Sequence, residues 1–162
     1  MKNNIIKTIS YFLILTGSGV SQLHAQEANA IKKMVEAQRY VFKAQTVSSM
    51  DGGSRQLTPG YDINLIGDSI VADLPYFGRA NTASLDPAKE SINFTSTNFE
   101  YKVNKKKKGW DVVIKPKDVA AVRQLVFFIF DNGYTTLNVI STNRQSISFY
   151  GSIEERKEKK VL

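Results

Sequence analysis

Asp62 and Asp73 are the two side chains of this 162-residue chain best spaced for acid–base work. The stretch Tyr61 to Ile66, the Gly67-Asp68 turn and Ser69 to Leu74 read as a two-residue β-hairpin. Pairing Tyr61, Ile63 and Leu65 with Leu74, Ala72 and Ile70 puts every apolar side chain on one face. That register sets Asp62 directly opposite Asp73 on the other face. Opposed β-carbons lie roughly 4.5–5.5 Å apart, where like charges repel. A shared proton, a bound hard cation such as Ca²⁺, or a basic neighbour would relieve the repulsion. The same pair could serve a carboxylate-dependent, glycosidase-like hydrolase.

Other chemistry is narrowed by what is missing. There is no cysteine, and the single histidine, His24, falls inside what reads as an export signal. Beyond that signal, Ser-His-Asp and Cys-His nucleophiles, His- or Cys-ligated zinc and disulfide redox are excluded. No Ser-x-x-Lys spacing and no Gly-rich phosphate loop after a strand is present, and no cofactor is implied.

Residues suited to binding are easier to find. Pro75 to Ser91 is the longest connection between strands, and it carries Tyr76-Phe77-Gly78-Arg79. Connections this long within a compact domain are often functional. Tyr76 and Phe77 would either stack on a ring or sugar, with Arg79 beside them, or plug the end of the sheet. Arg144 and Tyr150 would either anchor an anion through the guanidinium fork or be an ordinary turn arginine and sheet tyrosine. Lys105 to Lys108 forms either a solvated turn or an anion-binding patch.

The elements that must position these residues follow from periodicity. Residues 1–25 have a basic start (Lys2, Lys7), a short apolar run from Ile9 to Leu15, helix-breaking Gly17 and Gly19, and Leu23-His24-Ala25 at a cut. The apolar run is too short to anchor the chain across a bilayer. Cleavage after Ala25 leaves 137 residues, and the loss of Lys2 and Lys7 leaves 20 basic against 15 acidic side chains. One domain over 26–153 and a charged tail over 154–162 fit that length. Glu27 to about Arg39 predicts an amphipathic helix carrying Ile31, Met34 and Val35 on one face. Tyr40 to Val47 predicts a strand, and Met50 to Pro59 a turn-rich loop. Phe99, Tyr101 and Val103 alternate with polar residues and are answered by Trp110, Val112 and Ile114. Leu125 to Phe130 and Tyr134 to Ile140 flank Asn132-Gly133, which predicts a type I′ turn, and Ser146 to Ile153 closes the meander. Leu125-Val-Phe-Phe-Ile-Phe130 is apolar on both faces, so the N-terminal helix is expected to cover the second one. The expected fold is α+β and mainly β: an antiparallel meander sheet, strongly curved or barrel-like, with one helix packed on it.

Several strings in this array resemble a known family. They are Leu74-Pro-Tyr-Phe-Gly78, Ile92-Asn-Phe94, Phe99-Glu-Tyr101, the lysine run before Gly109-Trp110, Asn132-Gly133, and Arg144-Gln-Ser-Ile-Ser-Phe-Tyr-Gly151. Together they resemble the Bacteroidetes domain of unknown function 4251 family over about residues 30–153. The resemblance implies an exported envelope protein of antiparallel β architecture. Some relatives are lipoproteins, a feature that needs a cysteine this chain lacks. The family has no known activity, so no functional residue carries over. The resulting expectation is a periplasmic or secreted, non-enzymatic domain that binds a small ligand, an envelope glycan or a protein partner. Hydrolysis by Asp62 and Asp73 is the alternative, as is a protein-interaction or inhibitor module working through Pro75 to Ser91. Nucleic acid is not expected as a partner, nor a transmembrane segment after cleavage.

Overall fold

The computed structural model describes residues 19–49, 53–77 and 91–156, with side chains from Gln26 onward. Helix α1 (Gly19–Glu36) precedes ten strands: β1 (Arg39–Ser49), β2 (Gly53–Gln56), β3 (Asp62–Ile66), β4 (Ser69–Pro75), β5 (Ser91–Ser96), β6 (Phe99–Lys106), β7 (Gly109–Pro116), β8 (Val122–Phe130), β9 (Tyr134–Ser141) and β10 (Ile147–Glu154). They form one antiparallel sheet in the order β5-β4-β3-β1-β10-β9-β8-β7-β6, curled into a half-barrel, with β2 paired to the far half of β1.

The two edges of this sheet, β5 and β6, are consecutive in the chain and separated only by Thr97 and Asn98. A two-residue link between opposite edges is possible only because the sheet curls until they approach each other. Asp118 fixes that corner. Its carboxylate accepts from the Ser96 hydroxyl (2.5 Å) and from the backbone N–H groups of Thr97 (2.9 Å) and Asn98 (3.2 Å). Those hydrogen bonds, led by the one from Ser96, hold the Asp118 carboxyl below its ordinary range.

Alternation inside the strands builds the core. Inward residues such as Ile63, Leu65, Ile70, Val112, Leu125, Leu137 and Phe149 are buried. At its centre the Phe127 ring meets Tyr40 (6.2 Å, 85°) and Phe42 (5.8 Å, 81°) edge-on, the arrangement aromatic quadrupoles favour. β1 bulges between Ala44 and Thr46, and there Gly151 lies so close to β1 that a β-carbon would fall 1.9 Å from the Lys43 carbonyl oxygen. Only glycine fits that crossing.

Several sequence expectations are corrected. The helix begins earlier than Glu27 and ends at Glu36, where Gln38 (φ 53°) reverses the chain into β1. The helix runs through Ala25, but its anchoring residues Ile31, Met34 and Val35 all lie beyond that point. Within the loop expected from Met50 to Pro59, Gly53–Gln56 forms an exposed strand; residues 50–52 are outside the described residues. The β8–β9 turn has three residues, Asp131-Asn132-Gly133. Gly133 N–H donates to the Phe130 carbonyl (2.9 Å), and Gly133 alone has positive φ (78°). A type I′ turn needs positive φ at two residues, so this is a type I turn followed by a left-handed glycine.

The largest correction concerns the second face of β8. Helix α1 does not cover it. Ile31 and Val35 join the inner core, and the Val35 carbonyl accepts from the Tyr101 hydroxyl of edge strand β6 (2.9 Å). The helix therefore reaches from the β8–β9 turn to β6 and covers inner side chains that the open half-barrel would leave wet. The outer face of β8 stays uncovered by the described residues. None of the described helices is long and apolar enough to cross a membrane.

Candidate functional site

The carboxylate pair sits where the sequence places it. Asp62 pairs with Asp73 across β3 and β4, in a row that continues to Lys43 on β1 and Asn93 on β5. Lys43 Nζ donates to Asp62 Oδ2 (2.5 Å) and Asn64 Nδ2 to Asp62 Oδ1 (2.7 Å). Of the three ways to relieve the repulsion, the geometry uses the basic neighbour. The pair lies on the outer sheet face and lines neither of the hollows described below. Among the described residues, no three His, Cys, Asp or Glu gather to hold a metal ion.

The sequence-predicted binding residues divide into two places. Tyr76 and Arg144, 68 positions apart, meet: the guanidinium carbon lies 4.9 Å from the centre of the Tyr76 ring. Arg144 Nη1 donates to the Ser91 carbonyl (3.0 Å), and the Tyr76 hydroxyl donates to the Gln145 carbonyl (3.1 Å). Burial raises the Tyr76 hydroxyl above its ordinary pKa, against the opposing pull of Arg144. Arg144 thus ties the start and the end of the long connection to the β9–β10 turn. Its fork is already engaged, and Tyr76 is buried as an end-plug. Phe77 is exposed, with the Arg55 guanidinium 5.4 Å from its ring centre. Arg79 and Gly78 lie outside the described residues. A hollow of about 180 Å³ beside this clamp is lined by Ser91, Asn93, Phe94, Val119, Ser141 and Arg144 among others. That is smaller than the roughly 300–1,000 Å³ of common ligand sites.

Tyr150 is elsewhere, on the outer face of β10. The register carries a row from it through Thr136 on β9 to Phe128 on β8. Phe130 and Tyr134 stand at the turn end of the same hairpin. All four are exposed: Phe128 by 38%, Phe130 by 49%, Tyr134 by 61% and Tyr150 by 44%. A groove of about 520 Å³ opens against this strip, lined by Glu27, Lys108, Phe130, Asp131 and Asn132. Apart from Tyr150, the strip escapes sequence reading because the expected helix would cover that face. The doubly apolar run Leu125 to Phe130, set against the polar Thr136 and Asn138, was the available signal.

The lysine run forms the β6–β7 turn. Lys105 lies over the Trp110 ring (3.6 Å) and pairs with Asp131 (3.1 Å), and Lys106 pairs with Asp111 (3.1 Å). Inside the sheet, burial pushes the Tyr101 hydroxyl up to about 12 and that of Tyr40 well above its ordinary value. Both stay protonated at neutral pH.

Comparison with known proteins is consistent with this architecture. The family model described as Domain of unknown function (DUF4251) matches residues 22–153. The fold is similar to the crystal structure of a DUF4251 family protein from Bacteroides eggerthii DSM 20697, with a TM-score of 0.58 and 13% sequence identity, covering 82% of this chain and 88% of that one. No curated protein matches the chain.

Proposed function

The chain belongs to the DUF4251 family, and from that premise we propose that it is an exported, non-catalytic binding domain that meets an envelope partner through the outer face of β8, β9 and β10. One observation carries the reading. Four large aromatic side chains are exposed together on one sheet face, while the opposite face of the same strands is fully packed. Aromatic area left in water on a folded domain marks an interaction surface. The filled core and the small hollow at Arg144 favour a partner that lies across the surface over one enclosed within the sheet. A surface of rings and short polar groups also needs neither imidazole nor thiol.

Sedimentation with the insoluble cell-envelope fraction tests this. The wild-type chain should pellet, Phe130→Ser/Tyr134→Ser should stay in the supernatant, and Arg144→Gln should pellet like wild type. Pelleting of the aromatic variant at the wild-type level would sink the reading. Export is checked separately: N-terminal sequencing of the exported chain should begin at Gln26.

A further inference from the structure

We infer that the partner of this outer face is an acidic polysaccharide, stacked on the aromatic strip and held by the basic turn between β6 and β7. The inference rests on the outer-face reading above and adds the chemistry of what lies there.

Charge comes first. From Phe99 to Lys117 there are seven lysines against Glu100 and Asp111, an excess of five. Beyond Ala25 the whole chain has 20 basic and 15 acidic side chains, so this one hairpin holds the entire excess and the remainder is neutral. The hairpin adjoins β8 in the sheet. Several of its lysines are internally matched: Lys102 (3.9 Å) and Lys117 (3.0 Å) with Glu100, Lys105 with Asp131, and Lys106 with Asp111. Lys107 and Lys108, at the tip, make no ion pair among the described residues. Lys108 lines the same groove as Phe130 and Asn132, together with Glu27 and with Asp131, which Lys105 matches. The unmatched lysines of the tip therefore border the exposed rings, and the charge excess of the hairpin as a whole favours a partner that brings anions.

The pattern of the strip selects among anionic partners. Phe128 and Tyr150 share a row with Thr136 between them, two strand spacings or about 9.6 Å apart. Asn138 and Ser148, joined by a 2.7 Å hydrogen bond, lie in the next row, and Ser152 pairs with Tyr134. A sugar offers a flat C–H face and a rim of hydroxyls, so it needs rings with short polar groups between them. A protein anchor would seat in a continuous dry pocket instead. Exposed rings that dip into a lipid surface belong on protruding loop tips; Phe130 and Tyr134 stand near the turn, but the strip continues through Phe128 and Tyr150, which sit mid-strand.

Affinity electrophoresis of the full exported chain in gels containing polygalacturonate tests the inference, with dextran as the neutral control. The wild type should be retarded by polygalacturonate and not by dextran, and soluble polygalacturonate should release it from the envelope pellet. Lys107→Glu/Lys108→Glu should bind about tenfold more weakly, the scale of reversing two exposed charges. Phe130→Ser/Tyr134→Ser should lose a comparable amount, and Phe128→Ser/Tyr150→Ser replaces it if melting shows the first variant unfolded. Absence of retardation overturns the inference. So does retardation abolished by the lysine variant and untouched by both aromatic variants, which is charge attraction alone. Flotation with phosphatidylglycerol vesicles without polygalacturonate binding overturns it in favour of a lipid surface. In each of these failures the envelope pellet decides the parent reading separately. If the aromatic variant no longer pellets, the outer face still binds something else; if it pellets, both fall.

Discussion

The hairpins β3–β4 and β8–β9 are built alike on the inside and unlike on the outside. Inward, Ile63, Leu65 and Ile70 on one and Leu125, Phe127 and Leu137 on the other are almost wholly buried. Outward, β3–β4 shows Asp62, Asn64 and Asp73 around a single exposed apolar side chain, Val71, with a lysine reaching in from β1 to balance the acids. β8–β9 shows Phe128, Phe130 and Tyr134 to water. Folding demands only the inner alternation, since burial on that face drives collapse. The outer composition is free to follow another requirement. A polar outer face is the ordinary solution, so the aromatic one points to use.

The sharpest way to break this comparison is to truncate two neighbouring phenylalanines. Phe127→Ala removes a ring packed against Tyr40 and Phe42 and should destabilise the domain by about 3–5 kcal/mol. Phe128→Ala, one residue on and facing outward, should change stability by less than about 1 kcal/mol. Urea denaturation of both measures the contrast. Equal losses would mean that the outer face is core.

A second test addresses the corner that joins the two unlike halves. Because the folded pKa of Asp118 is depressed, its carboxylate stabilises the fold above its unfolded pKa of about 3.9. That contribution is lost as pH falls through the folded value. Asp118→Asn should therefore melt below wild type at pH 7, with the gap closing below about pH 4. A gap that persists undiminished at pH 2 would show that the carboxylate charge plays no part.

Smaller effects belong to the polar hairpin. Lys43→Met leaves Asp62 facing Asp73 with only Asn64 to compensate, and should destabilise by about 0.2–1 kcal/mol at neutral pH. Asp73→Asn removes the opposed charge while Lys43 keeps Asp62 matched, and should stay within about 0.5 kcal/mol of wild type. Its melting temperature should also be indifferent to Ca²⁺. A Ca²⁺-dependent rise in the wild type, absent from the variant, would restore the cation reading of the pair.

Much of the sheet was legible because strand alternation is a local property. The pairing of Asp62 with Asp73 followed from placing three apolar pairs on one face, and Gly67-Asp68 left room for no other register. The β6–β7 hairpin was legible as two alternating runs that answer each other, and the structure supplies the register, with Tyr101 opposite Ile114 and Val103 opposite Val112. The site was less legible. Tyr76 and Arg144 were each picked out, and the two family-like strings that contain them touch in space, but their mutual engagement depends on a contact across 68 positions. The turn at Gly133 was placed correctly and typed wrongly, because Asp131 belongs to the turn and only one of its residues takes positive φ.

By itself the sequence determined which side of each strand is apolar, where the chain turns, and that the chain has no cysteine and a single histidine, His24. Those are properties of residues and their near neighbours, and period-two alternation encodes them directly. Only the tertiary structure decided that β5 and β6, two residues apart, become opposite edges of one curled sheet. It also decided that helix α1 fills the inside of the curl instead of covering the outer face of β8. A strand with two apolar faces specifies burial for one and leaves the other to whatever lies nearby. Here the helix is used up on the inner core, and the outer rings stay exposed.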